Sequence, residues 1–220
     1  MSSAVDTVIF IVECMGVTAF ALSASIVSIG KRADIIGVLV LAETTIFGGG
    51  VIRDLFLGIT PPHVFWDMEY IFLAVLTAVV ATVCYCLAFN RKMAVFLDRH
   101  RNDFLLNLFD AIGLAVYCVC GIDVAIEEGF GDNTWLLIFV GCVTGVGGGI
   151  LRDTFSCEIP MVFRKRVYLL PTLFGAVLYV TIFPHLPHLA AMLIAIGFII
   201  LFRVLAIVFR WNLPTPPPLE

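Results

Sequence analysis

The chain has 220 residues, of which 61% are hydrophobic and only 14% are charged, and its mean hydropathy is +1.06. Soluble domains carry roughly 45–50% apolar and about 25% charged residues, so this composition excludes a soluble globular protein. Charges are sparse along almost the whole chain, which leaves no room for a separate soluble domain. The formal net charge of −4 identifies no partner by itself. The sequence therefore predicts an integral membrane protein.

Seven long apolar segments follow one another along the chain. A membrane-spanning helix needs about 20 mostly apolar residues. Because an open strand in lipid leaves its backbone groups unpaired, we expect every segment to be a helix. The fold class predicted is an all-α membrane protein with seven transmembrane helices. The predicted spans are residues 8–29, 35–57, 68–90, 104–127, 134–157, 166–183 and 189–209.

The basic residues of the connecting segments alternate along the chain. They follow the first, third, fifth and seventh spans and are absent from the N-terminal segment and the other connections. By the positive-inside rule, the N-terminus is predicted outside and the C-terminus cytoplasmic, in a multi-pass protein of the cell inner membrane. The alternation also supports the number of seven spans. These basic residues are Lys31, Arg32, Arg91, Lys92, Arg99, Arg101, Arg164, Lys165, Arg166 and Arg210.

One seven-residue motif occurs twice in apolar surroundings. Gly48–Asp54 reads GGGVIRD, and Gly147–Asp153 reads GGGILRD 99 positions later. Glycine costs about 1 kcal/mol relative to alanine in a helix interior, so each triplet predicts a break or kink in its span. The alternative is that the triplets allow close helix packing, as small residues do in membranes. Packing alone does not explain the arginine and aspartate that follow both triplets.

The repetition extends beyond this motif. Glu13 and Gly16 in the first span correspond to Asp110 and Gly113 in the fourth, 97 positions later. Spans one to three thus correspond to spans four to six, and because three is odd the second copy is inverted, a known plan of membrane transport proteins. The expected domains are a first repeat at 1–92, an inverted second repeat at 93–183, a seventh helix within 184–210 that closes the bundle, and a disordered tail at 211–220.

Ionisable residues within the spans are candidates for function because they are costly in a membrane. Five acids and three bases leave a formal charge of −2, which favours a cation in any path that they line. The set is Glu13, Glu43, Arg53, Asp54, Asp110, Arg152, Asp153 and Arg203.

Two interpretations are open for the motif charges. Arg53 with Asp153, and Arg152 with Asp54, form ion pairs across the repeat, or the arginines line a pore or gate. Neighbouring residues on a helix point in different directions, so Arg53 and Asp54 are expected to face apart.

The other polar candidates are equally open. Glu13 and Asp110 are related by the repeat, so a structural pairing between them is one interpretation, while for Glu43 we favour a pore role. The threonines near the triplets either line a wet path or donate hydrogen bonds to the preceding turn. These threonines are Thr44, Thr45 and Thr144.

The cysteines, the glycine-rich stretch and the histidines do not have the sequence context that metal binding, nucleotide binding or catalysis requires. The seven cysteines show no C-x-x-C spacing and read as small packing residues. Gly145–Gly149 is no nucleotide-binding loop, since Ile150 replaces its last glycine and no strand precedes it. No histidine lies in a span near a serine or cysteine to serve as a base. We expect no enzyme activity, no cofactor, no bound metal and no nucleic-acid partner.

The doubled motif and the pattern of spans resemble the prokaryotic TRIC family of trimeric intracellular cation channels. The similar stretches are Gly48–Pro62, Gly147–Pro160 and Phe163–Tyr168, and the resemblance covers about residues 6–209. One difference is Leu57-Gly58 in the first copy against Ser156-Cys157 in the second, which bears on how the fifth span ends.

The resemblance implies a homotrimer in membrane lipid with a separate pore in each protomer. It implies permeation of K⁺ chiefly, and also Na⁺, with bound lipid as the only other expected ligand. The pore would run past the second and fifth helices and be gated by basic residues there. The residues implied are Gly48, Gly49, Gly50, Arg53, Gly147, Gly148, Gly149 and Arg152.

A second function remains open beside the channel. After a break at each triplet, a half-helix would begin with its positive end at the membrane centre, which suits a substrate carboxylate. Arginine would help to bind that carboxylate. This favours a transporter of a small amino acid such as glycine, and some bacterial relatives are regarded as glycine carriers. A third interpretation is a scaffold protein without transport.

Overall fold

The computed structural model describes residues 2–89, 99–164 and 167–211, and every regular element within them is helical. The basic residues Arg91, Lys92, Lys165 and Arg166 and the predicted disordered tail beyond residue 211 lie outside the described residues. A 3₁₀ turn, His63–Phe65, precedes α3, and a π-helical turn, Ile126–Phe130, follows α4. The helices are α1 Ser2–Gly30, α2 Ile35–Leu57, α3 Met68–Phe89, α4 Arg99–Ala125, α5 Thr134–Phe155, α6 Met161–Arg164, α7 Leu169–Ile182 and α8 His188–Val208.

The long helices match the predicted spans closely, with one exception. Six of them (α1 to α5 and α8) are long and apolar enough to cross a membrane. The sixth predicted span, residues 166–183, is wrong in extent, because α7 has only 14 residues. At 1.5 Å per residue α7 is about 21 Å long, shorter than the hydrocarbon core of about 30 Å. Pro171 lies in its first turn, where a missing N–H breaks no intrahelical bond.

The bundle is built around pairs of helices that the repeat relates. Helix α1 packs along α4, and α2 packs along α5. Helix α4 is the most central element, since its residues Ala111, Leu114, Cys118 and Ile122 are fully buried. Helix α3 covers α1 and α2, while α8 packs on α4 and α7. Many large apolar side chains on the outer helix faces stay exposed, as expected of a surface that meets lipid.

The glycine triplets lie where the backbones of α2 and α5 cross. A Cβ atom on Gly49 would come nearer than 3.0 Å to the carbonyl oxygen of Thr144, and one on Gly148 would come as near to the carbonyl oxygen of Thr45. The repeat relates these two contacts, because Gly148 is the counterpart of Gly49 and Thr144 is the counterpart of Thr45, each 99 positions later. We call such a pair of contacts reciprocal. Both helices continue without interruption through their triplets, so the predicted helix break is wrong, while a kink in either helix stays a prediction. Close backbone packing in α2 and α5 accounts for the glycines instead.

A similar reciprocal contact joins α1 and α4. Phe20 stacks on Tyr117 with ring centroids 5.1 Å apart. A Cβ on Gly16 would press against Val116 and Tyr117, and one on Gly113 against the ring of Phe20. Gly16 of α1 thus leaves space for side chains of α4, and its counterpart Gly113 of α4 leaves space for a side chain of α1.

The two motif helices end in the same way despite their different sequences. Gly58 has φ +75° and Cys157 has φ +55°, so both adopt the left-handed conformation. The next backbone N–H, that of Ile59 or Glu158, donates to the carbonyl oxygen of the motif aspartate at 2.8 and 2.9 Å respectively. The cysteine therefore holds the same turn as the glycine, although this conformation is costly for a residue with a side chain.

Candidate functional site

Each motif arginine pairs with the aspartate that follows it. Arg53 Nε donates to Asp54 Oδ1 over 2.8 Å, and Arg53 Nη2 lies 2.7 Å from the same oxygen. The predicted pairs Arg53–Asp153 and Arg152–Asp54 are therefore wrong, as is the expectation that adjacent Arg53 and Asp54 face apart. The Cβ atoms of neighbours do diverge on a helix, but the long arginine side chain bends back far enough to reach the carboxylate.

The second copy repeats this arrangement. Arg152 Nε donates to Asp153 Oδ1 over 2.9 Å. The other oxygen of each aspartate accepts a backbone N–H beyond the helix, from His63 to Asp54 at 2.8 Å and from Met161 to Asp153 at 2.9 Å. The arginine–aspartate pair therefore ties the end of α2 or α5 to the next helical turn of the chain.

A dense ion cluster surrounds Arg152. Its Nη1 donates to Asp110 Oδ1 over 2.8 Å and also to the hydroxyl of Ser23. Arg203 Nη2 of α8 donates to the other Asp110 oxygen over 3.2 Å, and its guanidinium lies 4.1 Å from the centre of the Tyr168 ring. Arg152 and Asp110 are both 0% exposed. We call Ser23, Asp110, Arg152, Asp153, Tyr168 and Arg203 the Arg152 cluster, and its two guanidinium groups balance its two carboxylates.

The first copy of the motif opens into a cavity instead. Its volume is about 180 Å³, and it extends between α1, α2, α4 and the start of α3. Four carboxylates and one guanidinium line it, a formal net charge of −3 when His63 is neutral. Glu13 accepts a hydrogen bond from the Tyr70 hydroxyl at its wall. We call this space the Glu13 cavity. The acids, arginine, histidine and tyrosines that line it are Glu13, Arg53, Asp54, His63, Asp67, Tyr70, Tyr117 and Glu127.

Asp67 is a cavity carboxylate outside the long helices. Burial raises the pKa of its carboxyl above the usual value, and the nearby His63 imidazole and Arg53 guanidinium lower it. A raised pKa means that the Asp67 carboxylate takes up a proton at a higher pH than a solvated aspartate would. The negative charge of the cavity therefore declines earlier on acidification than the number of carboxylates suggests.

The cavity and the cluster are built from corresponding residues. Each site combines the motif arginine and aspartate with a second carboxylate and a tyrosine. The second carboxylate comes from α1 in the first copy and from α4 in the second, and the tyrosine lies near the start of α3 or α7 respectively. The counterparts are 97 to 99 positions apart: Glu13 and Asp110, Arg53 and Arg152, Asp54 and Asp153, Tyr70 and Tyr168, Cys120 and Ser23. The sites differ because Arg203 of α8, a helix outside both copies, fills the second one.

The remaining predicted residues lie apart from these two sites. The hydroxyls of Thr44, Thr45 and Thr144 donate to the carbonyl oxygens four residues earlier, which is the second of the two interpretations. Glu43 is half-buried on α2 and is not among the residues that line the Glu13 cavity. Glu13 and Asp110 do not pair with each other, since Glu13 binds Tyr70 and Asp110 binds the two arginines of its cluster.

The sequence reasoning missed the two tyrosines. Tyr70 and Tyr168 are 98 positions apart, between the offsets of 97 and 99 that relate the other counterparts. Testing every polar residue against these offsets would have found the pair, and would have matched Ser23 to Cys120 at an offset of 97. Nothing in the sequence around Arg203 indicates that its side chain reaches Asp110.

Comparisons with known proteins agree with this architecture. One family model, described as Glycine transporter, matches the chain twice, at residues 10–86 and 107–184, and the two matches together cover well over half of it. A solved structure described as the structural basis for conductance through TRIC cation channels is 30% identical. It has a TM-score of 0.79 and covers 96% of this chain and 98% of its own. The chain belongs to the prokaryotic TRIC family.

Further relatives are similar to this chain over nearly their whole length. The TRIC trimeric intracellular cation channel orthologue from Rhodobacter sphaeroides is 28% identical with a TM-score of 0.79, covering 93% of this chain and 99% of its own. The UPF0126 inner membrane protein YadS of Escherichia coli K12 is 32% identical, covering 94% of this chain and 95% of its own. The two matches of the family model begin 97 residues apart, the same offset that relates Glu13 to Asp110.

Proposed function

We propose that this chain is a channel for monovalent cations, chiefly K⁺ and also Na⁺, with one pore in each protomer. The observation that carries the proposal is the Glu13 cavity. Its lining residues have a formal net charge of −3, and they include Gly50 of the motif. A concave site with one sign of charge concentrates counter-ions. Proteins of similar fold are described as cation channels, which supports the same assignment.

The proposed path runs from the Glu13 cavity along the crossing of α2 and α5. Gly48–Gly50 and Gly147–Gly149 bring the two helices close together at this crossing, and the proposed path follows its cavity side from Gly50. The Arg152 cluster lies at the far end of the path, on the second copy of the motif. Glu43, Thr44 and Thr144 are not among the residues that line the cavity, and a pore role for them stays a prediction.

The two motif arginines have different roles in this proposal. Arg152 is fully buried and bound by two carboxylates and a serine, so it is a fixed structural element. Arg53 lies at the wall of an open cavity, where Asp54 is its ion-pair partner. A guanidinium there repels cations until it moves, so Arg53 is proposed as the gate and Asp54 as the group that holds it.

Transport of a small amino acid such as glycine is the second candidate, favoured by the description of the family model. Two observations weigh against it. Helices α2 and α5 continue through the triplets, so no half-helix begins there to bind a carboxylate. Both motif arginines already pair with an aspartate. Neither candidate is an enzyme, and neither requires a cofactor or a metal.

Recording from planar bilayers distinguishes the two functions. Purified protein is expected to give unitary K⁺ currents without any organic substrate. Glycine uptake into liposomes that saturates with concentration, together with absence of currents, would reject the channel and support the transporter. Absence of both activities would leave the scaffold interpretation.

Replacing the proposed gate should raise ion flow. We expect Arg53→Ala to increase basal K⁺ flux into liposomes several-fold, because it removes the positive charge from the cavity wall. The matched control is Arg32→Ala, which removes an exposed arginine from the connection between α1 and α2 and should leave flux unchanged. Reduced flux in a correctly assembled Arg53→Ala protein would contradict a gating role.

We also propose the inverted repeat predicted from the sequence, with residues 1–92 and 93–183 as the two copies and 184–210 as the closing helix. The reciprocal glycine contacts and the double match of the family model support it. Seven crossings put the two termini on opposite sides of the membrane, and the positive-inside rule favours the N-terminus outside and the C-terminus in the cytoplasm. The inner membrane is the proposed location, as for the relative in Escherichia coli. Labelling of single cysteines from each side of the membrane would test this topology.

A homotrimer in membrane lipid is the proposed assembly, since a similar protein is described as trimeric. Light scattering of the detergent-solubilised protein, corrected for bound detergent and lipid, should give three times the chain mass of 24.1 kDa. A monomeric mass in several mild detergents would contradict the trimer.

A further inference from the structure

We propose that the Glu13 cavity binds a small cation with a guanidinium group, in the way that the corresponding site of the second copy holds the side chain of Arg203. The proposal concerns binding and is independent of ion conduction. Its ligand class is the free guanidinium compound: a planar cation with several N–H donors and a short stem.

The Arg152 cluster shows how this architecture holds a guanidinium. Arg203 donates to Asp110 Oδ2 over 3.2 Å, while its planar group lies 4.1 Å from the centre of the Tyr168 ring. A carboxylate and an aromatic face together are a common site for guanidinium, because one accepts its N–H bonds and the other attracts its positive charge. Arg203 is only 4% exposed, so the site encloses the group almost completely.

The first copy provides the same elements without an internal occupant. Glu13 corresponds to Asp110, and Tyr70 corresponds to Tyr168. The tyrosine lies beside the carboxylate in both copies, since Tyr70 donates a hydrogen bond to Glu13, and Tyr168 and Asp110 both contact the guanidinium of Arg203. Arg53 lines the cavity together with Glu13, whereas Arg152 donates directly to Asp110. What the first copy lacks is a counterpart of α8, and its cavity of about 180 Å³ has room for a guanidinium and its stem.

Charge favours a cation in this cavity over a neutral molecule. The Arg152 cluster is formally neutral only because Arg203 contributes its positive charge. The Glu13 cavity has four carboxylates and one guanidinium, and so keeps an uncompensated charge of −3. Tyr117 adds a second tyrosine to its lining, and the counterpart of Tyr117 in the other copy is Phe20. A single guanidinium would thus restore part of the balance seen in the cluster.

Titration of the purified protein with methylguanidinium chloride tests the proposal. We expect one saturable site per protomer by isothermal titration calorimetry, with KCl at equal concentration giving a much weaker response. Glu13→Gln should weaken the affinity at least about tenfold, because a charge-assisted pair is lost. Tyr70→Leu should weaken it too. Asp132→Asn, which removes one acid from an exposed loop, is the matched control and should bind as the unmodified chain does.

A rescue experiment tests the comparison between the two copies. Arg203→Ala is expected to lower the thermal unfolding midpoint, and methylguanidinium should restore it by occupying the vacated site beside Asp110 and Tyr168. A folded Arg203→Ala protein with no such restoration would overturn the comparison. If that variant does not fold, the titration decides. No saturable binding, an unchanged affinity in Glu13→Gln, or an equal response to KCl would each overturn the proposal, whether or not the protein conducts ions.

Discussion

Gly148→Ala is expected to destabilise the protein by about 3 kcal/mol or more, because its Cβ would lie against backbone that cannot rotate away. The atom that it meets is the Thr45 carbonyl oxygen, nearer than 3.0 Å, so α2 and α5 would have to move apart. For a chain of this size such a loss lowers the unfolding midpoint by roughly 6–12 °C. Thermal unfolding in detergent, followed by circular dichroism, measures it.

Gly49 and Gly197 provide the comparison for that result. Gly49→Ala should have a similar effect, since its Cβ would meet the Thr144 carbonyl oxygen in the reciprocal contact. Gly197 lies in α8 with nothing within 4 Å of an added Cβ, so Gly197→Ala should be neutral or stabilising by up to about 1 kcal/mol. Equal effects at Gly148 and Gly197 would mean that helix propensity, and not the crossing of the helices, determines the result.

Arg152→Ala is expected to cost about 3–5 kcal/mol, because it leaves buried carboxylates without their partner. Asp153 would lose its ion pair and Asp110 one of its two arginines, in a site where Arg152 and Asp110 are 0% exposed. Arg152→Lys keeps the charge but loses the paired N–H donors, so it should recover only part of the stability. Chemical or thermal unfolding of the purified variants provides the measurement.

Arg53→Ala is the matched control for the buried arginine. It removes the same side chain from the corresponding position of the first copy, but beside a cavity that water can enter. Its cost in stability should be smaller, since it leaves one carboxylate, Asp54, without its ion-pair partner, whereas Arg152→Ala removes a partner from both Asp110 and Asp153. If the two arginine variants lost equal stability, the contrast between a filled site and an open one would be wrong.

The tertiary structure reassigns the role of the motif that dominates the sequence. Three glycines in a row predict a weak point when a helix is considered alone, because the penalty of each glycine is local. In the folded chain the same residues allow two backbones to meet, and this contact offsets the penalty, so the helices stay continuous. The arginine–aspartate pair behaves similarly, since it fixes the turn after each helix and does not bridge the two copies.

The order of residues was enough to predict the membrane environment, the positions of the long helices and the correspondence between the two halves. Each of these follows from local composition or from repetition, which the order of residues contains directly. Which charges meet became clear from the folded chain alone, because side-chain length and helix crossing bring Arg203, Asp110 and Tyr168 together from distant parts of the chain. The folded chain also shows that two corresponding sites differ: α8 has no partner in the repeat, so it fills one site and leaves the Glu13 cavity open.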